Sequence, residues 1–327
     1  MKDLSKEVFK FQPIFKQTPW GGNRIIPFKH LQDELDYVGE SWELSDVPGD
    51  ISVVANGSFA GQTLTQLITQ FKEELLGSRV YQKTGEHFPL LIKFIDAKQD
   101  LSIQVHPDDA LAQKRGFKNG KTEMWFVVDA PAGSTLLAGF NRDVDKDEFQ
   151  KRALDGSICE VINRHPVHPG SCFFLPAGQV HAICANLFLI EIQQTSDLTY
   201  RIYDYKRKGL DGKLRTLHLA EAEEAIDYHA SHQGEVAYPK ACDETNTVIQ
   251  CPYFTTSSYE LTKPFQLPLR PTESFTILIC YQGTFTIQTE GIHTPVATGE
   301  TVLIPAAVSE ANLVPSAGGC RFLSVTI

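Results

Sequence analysis

Apolar and polar residues alternate along the segment LSIQVHPDD at residues 101–109. A strand points successive side chains to opposite faces, so the leucine, isoleucine and valine share one face. The other face carries Ser102, Gln104 and His106. The segment therefore predicts a strand with one face in an apolar core and the other toward water, charge or a ligand.

Further short apolar runs are separated by glycine and proline turns. They read PLLIKFID, EMWFVVDA, STLLAGF, SCFFLPAG, HAICANLFLIEIQ, FTTSSYEL, SFTILICYQGTFTIQ and ETVLIPA. Many short strands of this kind predict a sandwich or barrel and argue against a doubly wound parallel sheet. Apolar residues at helical spacing predict helix within residues 61–83, and shorter helices are predicted over 108–115, 145–154 and 219–226.

A weak internal repeat makes the fold class more specific. The string GSCFFLPAGQVH at 170–181 aligns without gaps on GETVLIPAAVSE at 299–310, and both place a glycine before the strand and Pro-Ala after it. This pattern is typical of cupin-type jelly rolls, where the residue after the turn points into the barrel. The first copy has His181 at that position and the second has Glu310. We therefore predict a mainly β protein of tandem cupin-type jelly-roll barrels, with a small helical insertion in the N-terminal half.

A polar segment at residues 228–246, YHASHQGEVAYPKACDETN, is the predicted boundary between the halves. It divides the chain into a catalytic cupin-type domain with helical segments at 1–235 and a second barrel at 236–327. Because the second copy of the repeat lacks the histidine, the C-terminal barrel is predicted to hold no metal ligands.

Composition and charge narrow the possible partners. The net charge is −10 and the isoelectric point is about 5.5, which argues against nucleic acid or an anionic membrane as partner. The sequence has no apolar stretch of membrane-spanning length and no apolar signal core near its start, so a cytoplasmic location is expected. The seven cysteines are scattered without a CxxC pair, which predicts reduced thiols.

Four side chains in the N-terminal half have the chemistry of metal ligands. Gln104 and His106 share a strand face, Glu123 opens the strand EMWFVVD, and His181 follows PAGQV. Imidazole nitrogen and carboxylate oxygen both suit zinc, and three protein ligands with an open position are usual in catalytic sites. A competing histidine-rich string, RHPVHPG at 164–170, has prolines that bend the backbone, and we predict a surface turn there.

A second polar cluster occupies residues 191–207, EIQQTSDLTYRIYDYKR. Alternation places Glu191 and Arg201 on the same parity, so the two side chains are predicted to share a polar cavity. A guanidinium is a permanent cation with a planar fork of donors that suits an oxyanion or a phosphate. Arg207 adds positive charge nearby.

Five sequence motifs, taken in their order along the chain, resemble those of the class I mannose-6-phosphate isomerases in their short bacterial form. These enzymes are also called phosphomannose isomerases. The strings are GESWELS at 39–45, LIKFIDAKQDLSIQVHPDD at 91–109, KTEMWFV at 121–127, PAGQVHAI at 176–183 and EIQQTSDLTYRIYDY at 191–205. The resemblance implies a zinc-dependent enzyme that interconverts mannose 6-phosphate and fructose 6-phosphate on a cupin-type barrel.

The resemblance also implies roles for individual residues. It implies one zinc ion per chain, bound by His106, Glu123 and His181, with Gln104 at the position of a fourth ligand. Arg201 matches the catalytic arginine of the family. Other positions that match the family's active site are Lys93, Ser102, Lys121, Glu191 and Arg207. We expect Lys93, Ser102 and Arg207 to contact the phosphorylated substrate.

Several alternatives stay open at the level of sequence. Glu191 and Lys121 are both candidates for the base that moves the proton. Two histidines and one carboxylate on a β barrel also describe iron oxygenases, and a non-catalytic sugar-phosphate-binding cupin would have a similar sequence. The sequence carries no indication of the oligomeric state.

Overall fold

The computed structural model describes residues 3–327 and consists mostly of strands. In chain order the strands are β1 Phe9–Lys10, β2 Ile14–Gly22, β3 Val38–Leu44, β4 Asp46–Val47, β5 Asp50–Ile51, β6 Leu90–Ala97, β7 Ile103–Val105, β8 Glu123–Asp129, β9 Thr135–Phe140, β10 Ile162–Pro166, β11 Cys172–Leu175, β12 His181–Ile183, β13 Leu187–Gln194, β14 Tyr200–Tyr203, β15 Asn246–Gln250, β16 Thr255–Leu261, β17 Phe265–Gln266, β18 Thr276–Thr289, β19 Ile292–Ala297, β20 Thr301–Ile304 and β21 Asn312–Thr326. The prediction of a mainly β fold is confirmed.

The α-helices of the described chain all precede residue 226, so the helical segments lie in the N-terminal half as predicted. They are α1 Ile25–Phe28, α2 Leu64–Phe71, α3 Glu73–Leu76, α4 Ser78–Thr84, α5 Asp109–Lys114, α6 Lys146–Asp155 and α7 Leu219–Ala225. Within residues 3–327, no helix combines the length and the apolar character that a membrane span needs. The seven cysteines are all free thiols.

The predicted helix within 61–83 is helical but interrupted twice. The backbone of Lys72 has a φ of 47° and that of Gly77 a φ of 89°, and these residues separate α2, α3 and α4. A Cβ atom at Gly77 would lie 2.2 Å from the carbonyl oxygen of Glu273, so the helix breaks where it meets the C-terminal half. The helical spacing of apolar residues cannot reveal a contact with such a distant part of the chain.

Two antiparallel sheets form the N-terminal barrel. One has the strand order β11-β8-β13-β6-β2-β3, and the other has the order β10-β9-β12-β7-β14. Apolar side chains from both sheets fill one end of the space between them, with Trp125 and Leu189 from the first sheet and Leu136 and Ile183 from the second. This arrangement is the sandwich that alternating strands produce when each buries one face against the other.

The other end of the barrel interior is charged. Three inward-facing residues on adjacent strands are charged. They are Lys93 on β6, Glu123 on β8 and Glu191 on β13, and all three side chains are buried. Glu191 pairs in register with Lys93 on one side. Because side chains alternate with a period of two, each charged residue lies next to an apolar residue of the same row. The barrel interior thus has an apolar end and a charged end.

The outer face of the first sheet is buried as well. It packs with α2 to α4 and with the C-terminal sheet in one apolar cluster that includes Ile92, Phe94, Ile190, Ile277 and Val325. Burial on both faces explains why PLLIKFID reads as an almost continuous apolar run. Helices α6 and α7 cover the outer face of the second sheet.

The C-terminal half is an eight-stranded antiparallel sheet around an apolar core. Its order is β1-β20-β18-β21-β16-β15, with β17 on β21 and β19 on β18. The first strand comes from the start of the chain, where Phe9 pairs with Leu303. Residues near the N-terminus therefore complete the C-terminal sheet. The boundary between 235 and 236 stays a prediction.

The internal repeat is visible in the structure. Strands β11 and β20 have corresponding bounds in the two copies, and the preceding glycines, Gly170 and Gly299, have φ angles of 87° and 85°. At the last position of the repeat, Glu310 of the second copy is exposed, whereas His181 of the first copy is buried. The prediction of a surface turn at RHPVHPG is wrong for its first half, because His165 pairs with Leu136 as part of β10. Only His168 lies in the turn.

Candidate metal centre and adjoining cavity

Three side chains from different strands meet in the barrel interior. His106 follows β7, Glu123 begins β8 and His181 begins β12, and their candidate ligand atoms all lie within 4.8 Å of one another. The Nε2 atoms of the two histidines are 3.1 Å apart. The carboxylate oxygens of Glu123 lie 3.5 Å from His106 Nε2 and 3.3 Å from His181 Nε2. All three side chains are buried.

Backbone carbonyls orient both imidazoles. His106 Nδ1 lies 2.9 Å from the carbonyl oxygen of Leu198, and His181 Nδ1 lies 2.8 Å from that of Gln179. A carbonyl can only accept, so each Nδ1 donates a hydrogen and each neutral ring presents an unprotonated Nε2 to the centre. Burial lowers the pKa of both rings, that of His181 to about 4, so both rings are neutral at pH 7.

The Glu123 carboxylate completes a set of lone pairs directed at one point. Both of its oxygens are buried and accept no well-aligned hydrogen bond within the described chain, although Lys121 Nζ lies 3.0 Å from Oε2. Burial, and next the charge of Glu191, raise the pKa of Glu123 to about 7. Ligand atoms arranged tetrahedrally around zinc lie roughly 3.3–3.6 Å from one another, close to the separations found here. The donor set therefore fits a divalent metal ion.

Gln104 lies at the edge of this centre. Gln104 pairs in register with His181 on one neighbouring strand and with Arg201 on the other. Its side-chain Nε2 is 3.3 Å from His181 Nε2. A half-turn of the amide would present Oε1 to the same point, so Gln104 is placed as a fourth ligand would be.

A cavity of about 240 Å³ adjoins the candidate metal centre. It brings together most of the residues that the sequence singled out. The predicted site residues that line it are Lys93, Ser102, Gln104, Lys121, Glu191 and Arg201. Arg207 does not line this cavity, because its Nη1 donates to the carbonyl oxygen of Asp100 and its Nη2 donates to Asp204.

The cavity wall near the metal centre carries interlocked charges. Lys93 Nζ lies 3.1 Å from Glu191 Oε1 and 3.4 Å from Glu40 Oε2, and Lys121 Nζ lies 3.6 Å from Glu191 Oε1. The indole Nε1 of Trp125 donates to the second oxygen of Glu191 at 2.9 Å.

These contacts hold several groups in their charged forms. Burial alone would raise the pKa of Glu191, but Lys121 and Lys93 outweigh it and lower that pKa to about 2. Burial likewise opposes the charge of Lys93, yet Glu40 and Glu191 raise its pKa overall. We therefore expect an ionised carboxylate and an ammonium group here at neutral pH.

Sequence reasoning missed several residues of the cavity wall. Trp20, Glu40, Asp197 and Arg215 all line it. Glu40 lies inside the string GESWELS, so a family match could have found it. Arg215 has no such signal, because it lies in a polar loop among other basic residues.

The fold and the site define a cupin-type protein with a candidate metal centre beside a charged cavity. Residues 8–131 match the family model described as "Phosphomannose isomerase type I, catalytic domain", and residues 243–325 match "Mannose-6-phosphate isomerase, cupin domain". The chain belongs to the type I phosphomannose isomerase family, and it is an enzyme of that family. The family and the fold class expected from the sequence are thereby confirmed.

Relatives of similar length extend the match over nearly the whole chain. "Mannose-6-phosphate isomerase ManA" of Bacillus subtilis is 33% identical over 313 residues, which cover 95% of this chain and 96% of the relative. A mannose-6-phosphate isomerase of Streptococcus mutans is 31% identical, with coverage of 85% and 88%. A crystal structure of the mannose 6-phosphate isomerase from Bacillus subtilis superposes with a TM-score of 0.88 at 28% identity, covering 98% and 100% of the two chains.

Proposed function

We propose that this enzyme interconverts mannose 6-phosphate and fructose 6-phosphate with the help of one bound zinc ion per chain. The observation that carries the proposal is the convergence of His106, Glu123 and His181 at the edge of a charged cavity. The Bacillus subtilis and Streptococcus mutans relatives, which are named mannose-6-phosphate isomerases, support the choice of substrate.

In this proposal His106, Glu123 and His181 hold the zinc ion, and Gln104 supplies a fourth ligand. The hydrogen bonds at each Nδ1 fix the rings so that both Nε2 atoms face the ion. When bound, zinc acts as a Lewis acid that polarises the sugar carbonyl.

Lys121 and Glu191 are the two candidates for the group that moves the proton. An aldose–ketose exchange moves a proton between C1 and C2 through a cis-enediol, so a group must take up and return that proton. The low pKa of Glu191 makes its carboxylate a weak base. We therefore assign the transfer to Lys121 in its neutral amine form, which takes up the proton from one carbon and returns it, as an ammonium, to the other. We assign to Glu191 the role of positioning the two lysines.

The remaining predicted residues bind and stabilise the substrate. Arg201 lines the cavity and is proposed to stabilise the negative charge that develops on the enediol oxygen. Ser102 and Lys93 line the same cavity and can donate to substrate oxygens. Arg207 lies behind the wall, so its contribution to substrate binding is proposed to be electrostatic.

A coupled assay tests the proposal directly. Protein purified without added metal should contain zinc and convert mannose 6-phosphate, and a chelator should abolish turnover until zinc is returned. Lys121→Met should abolish both isomerisation and solvent-deuterium incorporation at C2, whereas Glu191→Gln should only slow them. Bound iron with oxygen uptake, or absence of turnover by the zinc-loaded protein, would refute the proposed function.

A further inference from the structure

A cluster of arginines forms the cavity wall at Arg201. Arg201 and Arg215 line the cavity, and the buried carboxylate of Asp204 lies behind them. Arg215 donates from Nε to Asp204 Oδ2 at 2.7 Å and from Nη2 to Oδ1. Arg207 donates from Nη2 to the same Oδ1 at 2.6 Å. Asp204 therefore holds two guanidinium groups in place.

This cluster has more positive than negative charge. Within residues 3–327, the ion pairs of Arg201, Arg207 and Arg215 involve no carboxylate other than that of Asp204. Three guanidinium groups and one carboxylate leave two uncompensated positive charges in a protein of net charge −10. The Nε atoms of Arg201 and Arg207 are buried without a hydrogen-bond partner. A dianion in the cavity would neutralise this excess.

The geometry of Arg215 leaves one edge of its guanidinium available. Asp204 occupies Nε and Nη2, while Nη1 donates no hydrogen bond to any described residue. A guanidinium held on one edge by a carboxylate loses little conformational entropy when its other edge binds a ligand. Arg215 is thus preorganised to receive an oxyanion.

The loop that carries Arg215 is itself ordered by hydrogen bonds. Lys208 and Leu214 form an isolated β-bridge, and Gly209 N donates to the carbonyl oxygen of Lys213 at 2.7 Å. Next to Arg215, the carbonyl oxygen of Thr216 accepts from Arg201 Nη1 at 2.8 Å. The hairpin therefore places the two arginines side by side.

The charged groups that line the cavity fall into two sets. The carboxylates of Glu40, Glu191 and Asp197 interact with Lys93 or Lys121, whereas Arg201 and Arg215 form no ion pair with any of these three carboxylates. A phosphate monoester carries a charge of about −1.5 to −2 at pH 7 and accepts charge-assisted hydrogen bonds. A phosphate of this charge matches Arg215, whose free guanidinium edge faces the cavity and is paired with none of the carboxylates that line it.

We propose that Arg215 is the residue that binds the phosphate group of the substrate, with Asp204 as its positioning residue. The inference rests on the proposed function for the identity of the substrate. It assigns the direct contact to Arg215, which the sequence did not single out, and makes Arg207 an indirect contributor. It also predicts selectivity for dianionic phosphate monoesters.

The test compares Arg215→Gln with Lys213→Gln, an exposed lysine of the same hairpin that loses the same charge. Arg215→Gln should raise KM for mannose 6-phosphate about 10- to 100-fold, as expected for the loss of a charge-assisted hydrogen bond, with kcat changed less than threefold. The inhibition constant of inorganic phosphate should rise by a similar factor. Lys213→Gln should leave both constants unchanged, and the zinc content should be equal in all proteins.

Arg215→Lys keeps the charge and loses the two-point contact with Asp204, so its KM should lie between those of the wild type and Arg215→Gln. This variant also serves if Arg215→Gln does not fold. An unchanged KM in both variants, an equal effect of Lys213→Gln, or a loss confined to kcat would overturn the proposal.

Binding of inorganic phosphate separates this inference from the proposed function. Calorimetric titration of the wild type with phosphate should show binding that Arg215→Gln weakens, even if mannose 6-phosphate proves not to be the substrate. Affinity should fall as the pH is lowered and inorganic phosphate passes from its dianionic to its monoanionic form. Absence of phosphate binding to the wild type would refute the role of Arg215 whatever the isomerase assay shows.

Discussion

The Nε2 atoms of His106 and His181 lie 3.1 Å apart, and a carbonyl oxygen accepts from the Nδ1 of each ring. Two unprotonated nitrogens at this distance repel each other, and the Glu123 carboxylate adds a third set of lone pairs. A cation between them turns this repulsion into attraction. The interior of the N-terminal barrel therefore contains a candidate site for a cation.

The first prediction concerns the metal centre. His181→Ala should lose both bound zinc and isomerase activity, because it removes one of three ligands that come from different strands. Elemental analysis and the coupled assay measure the two losses separately. His165→Ala is the matched control, since His165 lies on β10 outside the metal centre and should leave zinc and turnover intact. Full zinc content in His181→Ala would contradict its role as a ligand.

The second prediction separates Arg201 from the metal centre. Arg201→Ala should fold and retain zinc, since within residues 3–327 the Nη1 of Arg201 donates to the carbonyl oxygen of Thr216 and to no side chain of the metal centre. Its turnover should fall about a hundredfold or more, as when a donor to developing negative charge is removed. Steady-state kinetics on zinc-loaded protein measure this effect, and wild-type kcat in the variant would exclude a catalytic role.

The third prediction concerns Trp125, which links Glu191 to the metal centre. Its indole donates to Glu191, and its ring packs edge-on against His181 with 5.3 Å between centroids. Trp125→Phe keeps an aromatic ring but removes the donor to a charged group, so kcat should fall about 10- to 100-fold. Zinc content and KM should change little.

A control for the loss of buried volume is available on the same strand. Phe126 points to the opposite face of β8, into the apolar cluster between the two halves. Phe126→Leu should lower the thermal midpoint while kcat stays within twofold of the wild type. If Phe126→Leu lowers kcat as much as Trp125→Phe, the effect at Trp125 is one of packing and the hydrogen bond has no special role.

The fourth prediction concerns stability and the contact between the two halves. Lys29 and Glu43 form a buried ion pair at 2.7 Å, and Lys29 Nζ also donates to the carbonyl oxygen of Gly299. Lys29→Met should destabilise the protein by about 3–5 kcal/mol, because Glu43 keeps a buried charge without its partner. Lys6→Met, which breaks the exposed pair with Glu290, should cost less than about 1 kcal/mol. Chemical denaturation measures both, and equal losses would contradict the prediction.

Much of the fold follows from local patterns. The copies of the repeat at Gly170 and Gly299 predict two equivalent strands, and both strands form with corresponding bounds. Short-range geometry suffices here, because a glycine turn and a period of two involve only neighbouring residues. The prediction of one helix within 61–83 is wrong at Gly77, where the helix is broken. That break depends on a close contact with the distant Glu273.

The sequence by itself determined the strand pattern, the family and the candidate ligands His106, Glu123 and His181. Only the tertiary structure decided that these side chains meet, because β7, β8 and β12 become neighbours or face each other through pairings between distant segments. It also placed Arg215 in the cavity and Arg207 behind it. The loop that carries these arginines has no hydrophobic periodicity from which the direction of a side chain could be predicted. The orientation of each arginine therefore depends on tertiary partners such as Asp204.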